Sequence, residues 1–175
     1  MITAPSSLSA KAQQAFELAA EVPDPEIPVL NLQDLGIFRG VREDAQGITV
    51  LLTPTYSGCP ATEAIAQDVR QSLDAAGLHE AKVNVSLSPA WTSEWITEQG
   101  RRKLKEYGIA PPACTTAQPS STESNVIAFR RKQSIACPRC NSTHTEQLSN
   151  FGSTPCKSLY RCVSCREPFD YFKPY

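Results

Sequence analysis

The chain has little histidine and no long apolar run, and both shortages restrict its function. Only two histidines occur in 175 residues, which argues against a hydrolase that depends on a cysteine–histidine pair. Its eight glycines do not cluster, so it contains neither a phosphate-binding loop nor a dinucleotide-binding fingerprint. No apolar stretch approaches the roughly 18 residues that a membrane helix needs, and the first residues do not resemble a signal peptide. We therefore expect a soluble, cytoplasmic protein with no membrane contact.

Acidic and basic residues are unevenly distributed, although the formal net charge is only −1. Residues 1–125 carry nine Lys or Arg against fifteen Asp or Glu, whereas residues 126–175 carry eight against three. Residues 110–125 are mostly Pro, Ala, Ser and Thr, which is typical of a linker. We therefore predict a front domain over 1–112, a linker over 113–133 and a small basic module over 134–175.

The basic module contains two CxxC pairs, formed by four of the seven cysteines: Cys137, Cys140, Cys162 and Cys165. In a reducing compartment this spacing indicates metal ligands rather than a disulfide framework, and the 21 intervening residues can form a hairpin. Four thiolates saturate a tetrahedral zinc ion, so we predict one structural zinc without a catalytic role, with iron as the main chemical alternative. His144 and Cys156 lie between the pairs. Either could replace a CxxC ligand, but the regular spacing favours the four cysteines, and we expect both to be surface residues.

In the front domain the hydrophobic pattern predicts the order α-β-β-α-β-α. Helices are predicted over 8–21, 60–76 and 92–107, and strands over 36–41, 47–52 and 82–87. The strand–helix–strand unit in the middle requires two parallel strands, whereas the first two strands form a hairpin. The predicted fold class is therefore α+β: a small three-stranded mixed sheet with helices, followed by a C-terminal zinc ribbon.

Cys59 lies in a Gly-Cys-Pro turn between a predicted strand and a predicted helix. The N–H groups and the positive dipole end of that helix would stabilise a thiolate, which could act as a nucleophile or bind a soft metal. Thr53 and Thr55, in the preceding loop, could donate hydrogen bonds to the sulfur. A thiol packed under the loop is the alternative, and spacing alone does not decide between the two.

Asp24 and Glu26 lie in a segment with three prolines in six residues, which forces an extended backbone. Two carboxylates separated by a rigid residue could take part in acid–base chemistry or lie beside a metal. A capped turn that links the first helix to the sheet is the simpler interpretation.

Trp91 and Trp95 are four residues apart at the predicted start of the third helix. We expect them to pack onto the sheet, and the alternative is an exposed aromatic anchor for a partner.

Two sets of segments carry a family resemblance. The acidic proline segment at 22–29, the Leu35-Gly36-Ile37 strand and the loop ending in Cys59-Pro60 resemble the MIP18 (DUF59) family of iron–sulfur cluster assembly domains. The two CxxC pairs, together with residues 88–96, 107–112 and 168–173, resemble the D-subunit family of bacterial phenylacetyl-CoA epoxidase systems. The first resemblance implies a domain that assembles or delivers iron–sulfur clusters, with Cys59 as a candidate ligand beside Asp24 and Glu26.

The second resemblance implies a role in aerobic phenylacetate breakdown. In that system an epoxidase combines a di-iron oxygenase with a reductase that carries flavin and an iron–sulfur cluster. The chain has no paired ExxH motifs and no flavin or nicotinamide site, so we expect an accessory or maturation subunit rather than an enzyme. Cys59 would bind iron or a cluster transiently, while a homodimer, a client cysteine or a small thiol supplies the remaining sulfurs. The expected partners are the other epoxidase subunits, notably the iron–sulfur reductase.

Two further functions fit the sequence. A non-catalytic interaction subunit would use the ribbon and the two tryptophans to hold the oxygenase parts together. A nucleic-acid binder would use the basic residues near the ribbon, although the acidic front domain argues against it. These basic residues are Arg130, Arg131, Lys132, Arg139 and Arg161.

Overall fold

The front domain has the order of helices and strands that the sequence predicts. A computed structural model describes residues 8–113 and 134–175 of the protein; the predicted linker lies almost entirely outside these ranges. The front elements are α1 (Ala10–Glu21), β1 (Phe38–Asp44), β2 (Gly47–Leu52), α2 (Thr62–Ala75), β3 (Lys82–Val85) and α3 (Glu98–Tyr107). Ser9 caps α1, where its Oγ accepts a hydrogen bond of 3.2 Å from the Ala12 N–H. The predicted α+β class is confirmed.

The front sheet is mixed, with strand order β1-β2-β3. The first two strands are antiparallel and join through a tight turn in which Asp44 pairs with Gly47, whereas β2 and β3 run parallel. The α2 helix connects the two parallel strands and buries Ile65, Val69 and Leu73. This spacing is the apolar stripe expected of a helix that packs with one face on a sheet.

The third helix begins later than predicted. A short 3-10 turn spans Ser93–Trp95, and α3 starts only at Glu98, with Thr97 as its cap. The Thr97 Oγ1 accepts a hydrogen bond of 2.9 Å from the Gly100 N–H. A Cβ on Gly100 would lie 2.6 Å from the Asp34 carbonyl oxygen, so this glycine lets α3 pack directly on the loop before β1.

The ribbon sheet has a strand that the sequence did not reveal. Its four strands follow the order β4-β7-β6-β5, where β4 is the two-residue segment Ile109–Ala110 directly after α3. The others are β5 (Thr145–Ser149), β6 (Lys157–Cys162) and β7 (Pro168–Phe172). Because β4 pairs in parallel with β7, the end of the front domain is hydrogen-bonded into the ribbon.

The ribbon packs on the front domain through a shared apolar core. Phe172 and Cys156 from the ribbon belong to the same buried cluster as the residues of α1, α2 and the front sheet. The Phe172 ring centroid lies 6.1 Å from that of Trp91, and the Ser93 N–H donates to the carbonyl oxygen of Tyr175 at 3.2 Å. These contacts place Tyr175 beside the segment that follows β3.

Candidate functional sites

Four cysteine sulfurs converge at one end of the ribbon. The Sγ atoms of Cys137, Cys140, Cys162 and Cys165 all lie within 4.8 Å of one another. Cys137 Sγ is 3.8 Å from Cys165 Sγ, and Cys140 Sγ is 3.5 Å from Cys162 Sγ. Metal–sulfur bonds of about 2.3 Å in a tetrahedron would separate the sulfurs by about 3.8 Å, so these residues fit one four-thiolate metal ion. Such an ion has no open position for a substrate.

Each CxxC turn is shaped by the residue that follows it. Asn141 and Arg166 have left-handed backbone angles, with φ values of 60° and 66°. The Asn141 N–H donates to the Cys137 carbonyl oxygen at 2.9 Å, which closes the first turn. In the second turn the Cys165 N–H donates to Cys162 Sγ at 3.5 Å, and this hydrogen bond is the main cause that lowers the pKa of Cys162 to about 6. A lowered pKa favours the thiolate that a metal binds.

Cys156 lies apart from this metal centre. His144 is exposed, as expected. Cys156 is only 6% exposed, so the expectation of a surface residue is wrong for Cys156. The residue directly precedes β6, at the place where the ribbon packs on the front domain, so tertiary contact buries it. Burial is also the main cause that raises the pKa of the Cys156 thiol to about 11.

Cys59 occupies the predicted turn between β2 and α2 and is half-buried. Its N–H donates to the Tyr56 carbonyl oxygen at 3.3 Å, and its own carbonyl oxygen accepts from the Thr62 N–H at 3.2 Å. Contrary to expectation, the pKa of the thiol is raised. Burial raises it most; the Ala61 N–H lowers it, and the charge of Glu26 raises it again. The end of α2 therefore does not produce a thiolate, and the free protein carries a protonated thiol near neutral pH.

Asp24 and Glu26 have different structural roles. The Asp24 carboxylate is buried, and its Oδ1 accepts hydrogen bonds from the N–H groups of Glu26 at 2.9 Å and Ile27 at 2.8 Å. It therefore holds the turn in the manner of an Asx motif, and burial raises its pKa. Glu26 is partly exposed, and its Oε2 lies 3.8 Å from Cys156 Sγ. Of the two carboxylates, only Glu26 contacts a thiol in this way.

Thr53 and Thr55 are both buried in the loop before Cys59. They line a cleft of about 350 Å³ together with Tyr56, Trp91 and Tyr175. The hydroxyl whose hydrogen bond lowers the pKa of the Cys59 thiol belongs instead to Thr62 in the first turn of α2. Thr62, Cys156 and Tyr175 were not predicted as site residues, because only the folded chain brings them to this loop.

Comparison with known proteins identifies both parts of the chain. A family described as "Iron-sulfur cluster assembly protein" matches residues 13–87, and one described as "PaaD zinc beta ribbon domain" matches residues 121–173. An Escherichia coli (strain K12) protein, named as the putative D-subunit of 1,2-phenylacetyl-CoA epoxidase, is 46% identical over 163 residues, covering 91% of each chain. The chain belongs to the D-subunit family of phenylacetyl-CoA epoxidases.

Other proteins similar to this D-subunit family member match about half of the chain. A Porphyromonas gingivalis protein named "Fe-S protein maturation auxiliary factor" is 36% identical over 83 residues, which is 46% of this chain and 78% of that protein. The crystal structure of a DUF59 domain from Bacillus anthracis is 26% identical, with a TM-score of 0.49, and covers 54% of this chain and 92% of that one.

Within residues 8–113 and 134–175, none of the helices is both long and apolar enough to cross a lipid bilayer.

The two tryptophans have different environments. Trp91 is only 5% exposed, and its Nε1–H donates to the Leu35 carbonyl oxygen at 2.9 Å, so it is not available as an anchor for another protein. The hypothesis of a partner-binding role is wrong for Trp91, because the ribbon of the same chain covers it. Trp95 is partly exposed, and the Arg39 guanidinium carbon lies 3.5 Å from its ring centroid. A partner-binding role for Trp95 stays a prediction.

Two of the five basic residues considered for nucleic-acid binding lie within the described residues. Arg139 is exposed, whereas Arg161 forms an ion pair with Glu146 across the β5–β6 pair. Arg130, Arg131 and Lys132 lie outside the described residues. In the part of the chain that the structure describes, these positions thus contribute one exposed arginine, Arg139, and one arginine that is paired with a carboxylate, Arg161.

Proposed function

We propose that this protein is an accessory maturation subunit of a phenylacetyl-CoA epoxidase, and that Cys59 delivers iron or an iron–sulfur cluster to a client subunit. The observation that carries the proposal is the placement of Cys59, a half-exposed thiol near the Glu26 carboxylate within the segment that matches the iron–sulfur assembly family. Thiolates and carboxylates both bind iron, and thiolates hold iron–sulfur clusters. The name of the E. coli relative supports an epoxidase as the destination.

The metal of the ribbon is proposed to be structural zinc rather than the transported cargo. Four sulfurs already complete a tetrahedral site, and the match to a zinc ribbon family favours zinc over iron. A module of about 40 residues buries too little apolar surface to fold by itself, so the metal is expected to supply part of its stability. This leaves the cysteines outside the zinc site to bind cargo.

A transient carrier needs an accessible and incomplete set of ligands. Cys59 is partly exposed, so a client cysteine can reach a metal bound there, and one thiol with one carboxylate leaves coordination positions open for that exchange. The thiol is protonated in the free protein, so cargo must displace a proton on binding. Both properties favour release to a client over permanent retention.

A non-catalytic interaction subunit is the second candidate, and a surface of the ribbon favours it. Phe151 is 66% exposed and Leu148 is 51% exposed, on and just after β5. Lys173 Nζ lies 4.4 Å from the Phe151 ring centroid, which leaves most of the ring open to solvent. Exposed apolar side chains on a small basic module suit a protein interface. In that case substitution of Cys59 would have no effect.

The iron content of the client distinguishes the two functions. The epoxidase reductase would be co-expressed with the wild-type chain, with Cys59→Ala or without the chain, and iron and acid-labile sulfide would be measured per reductase. We expect equally low metallation with Cys59→Ala and without the chain. Ser57→Ala is the matched control, because Ser57 is exposed in the same loop and should behave as wild type. Full metallation in every sample would refute delivery to the reductase and favour the interaction subunit.

A further inference from the structure

Cys156 is a buried thiol that belongs to neither the zinc site nor a disulfide. Its backbone is anchored, since the Lys173 N–H donates to its carbonyl oxygen at 2.9 Å. Its sulfur is 3.0 Å from Thr154 Oγ1 and 3.8 Å from Glu26 Oε2. The second of these contacts joins residues 130 positions apart, and it directs a ribbon thiol toward the carboxylate of the front domain.

Cys59 and Cys156 face the same set of neighbours from the two parts of the chain. The charge of Glu26 acts on both thiols, and each thiol acts on both Tyr56 and Tyr175. The rings of these tyrosines stack with centroids 5.9 Å apart, so the end of the ribbon lies directly on the Cys59 loop. Cys59 packs against the same buried cluster that contains Cys156, and Glu26 lies 3.8 Å from the Cys156 sulfur while its charge also acts on Cys59.

We propose that Cys59, Cys156 and Glu26 form one cargo site across the boundary between front domain and ribbon, with Cys156 as its second thiolate ligand. This inference rests on the proposed function and answers a question that function leaves open, namely which residue adds sulfur beyond Cys59. Two thiolates and one carboxylate suit iron or an iron–sulfur cluster and still leave positions for a client cysteine. A second copy of the chain is then not needed to supply the second sulfur.

The surrounding charge supports such a site. Two thiolates and a carboxylate concentrate negative charge in the proposed site. Lys157 follows Cys156 directly, its side chain is buried, and its positive charge acts on both Cys156 and Asp24. Its Nζ is 3.8 Å from Asp170 Oδ2, so this lysine is held beside the site by the ribbon itself. A buried cation at this position offsets part of the charge that metal binding would create.

Cobalt(II) provides a direct test, because thiolate-to-cobalt charge transfer absorbs in the near ultraviolet in proportion to the number of thiolates bound. The full-length protein with its ribbon filled with zinc would be titrated anaerobically with Co²⁺, and zinc content would be checked afterwards. We expect the wild-type protein to bind one Co²⁺ per chain in addition to the zinc. The thiolate-to-cobalt absorption should fall to about half in Cys59→Ala and in Cys156→Ala, and it should be absent in the double variant. Thr154→Val is the control, because it alters the contact with the Cys156 sulfur and keeps both thiols.

The outcomes separate this inference from the proposed function. Wild-type absorption in Cys156→Ala, with loss in Cys59→Ala, would overturn the role of Cys156 and leave delivery through Cys59 intact. Wild-type absorption in both single variants would overturn the shared site. Because an alanine could disturb the core, Cys156→Ser is measured in parallel; native circular dichroism and full zinc content, together with halved absorption, would support ligation over misfolding.

Discussion

Replacing Trp91 by phenylalanine should weaken the attachment of the ribbon to the front domain without changing zinc content. The indole Nε1–H donates to the Leu35 carbonyl oxygen at 2.9 Å, and the ring contacts Phe172 and Tyr175 with centroid distances of 6.1 and 6.2 Å. Phenylalanine keeps an aromatic ring but leaves a buried carbonyl without its donor. The loss of such a partner costs about 1–3 kcal/mol in the free energy of unfolding.

A larger truncation sets the upper end of this scale. Trp91→Ala removes the whole ring from a site that is 5% exposed, and such substitutions cost about 3–5 kcal/mol. Trp95→Phe is the matched control, because its ring is partly exposed and its contact with Arg39 is worth about 0.5–1 kcal/mol. The expected order of destabilisation is therefore Trp95→Phe, then Trp91→Phe, then Trp91→Ala.

Urea unfolding of the zinc-loaded protein, followed by circular dichroism, would measure these free energies. Limited proteolysis would show whether the ribbon is released before the front domain unfolds. If Trp91→Phe costs no more than Trp95→Phe, or if Trp91→Ala keeps its stability and loses only partner binding, then the buried packing of Trp91 under the ribbon is refuted.

Two further substitutions test the four-cysteine metal centre and the acidic segment. Cys162→Ser should lower the zinc content well below one per chain and unfold the ribbon, because three sulfurs hold the metal poorly. Zinc analysis, together with limited proteolysis of residues 134–175, would measure this effect. Retained zinc in a folded ribbon would contradict it. Asp24→Asn should change the free energy of unfolding by no more than about 1 kcal/mol, since the asparagine Oδ1 can still accept hydrogen bonds from the N–H groups of Glu26 and Ile27. Asp24→Ala removes this acceptor and should lower the free energy of unfolding by about 1–3 kcal/mol. Equal unfolding midpoints in urea for these two variants would show that the carboxylate does not hold the turn.

Local patterns predicted the elements well where a single segment carries the signal. The apolar stripe of α2 recurs every four residues at Ile65, Val69 and Leu73, so its buried face could be identified before any neighbour was known. The start of α3 was placed too early, because Trp95 and Ile96 continue the apolar pattern while Thr97 provides the cap. Capping chemistry, rather than hydrophobicity, sets that boundary.

The reactivity of Cys59 could not be predicted from its position before a helix. The N–H of Ala61 does lower its pKa, as a helix end should, but burial outweighs this effect and Glu26 opposes it. Both of these causes come from residues distant in sequence that pack around the loop. A helix terminus is therefore an incomplete guide to thiol chemistry when the rest of the environment is unknown.

The sequence alone determined the four metal ligands, because each CxxC turn brings its own two sulfurs together within four residues and the intervening hairpin is short. It also determined the order of the front elements and, through family resemblance, the D-subunit family. Only the tertiary structure decided that Cys156 is buried beside Glu26, that Ile109–Ala110 joins the ribbon sheet and that Trp91 is covered. These features arise from contacts between segments far apart in the chain, up to 130 positions for Cys156 and Glu26, and no local periodicity records such contacts.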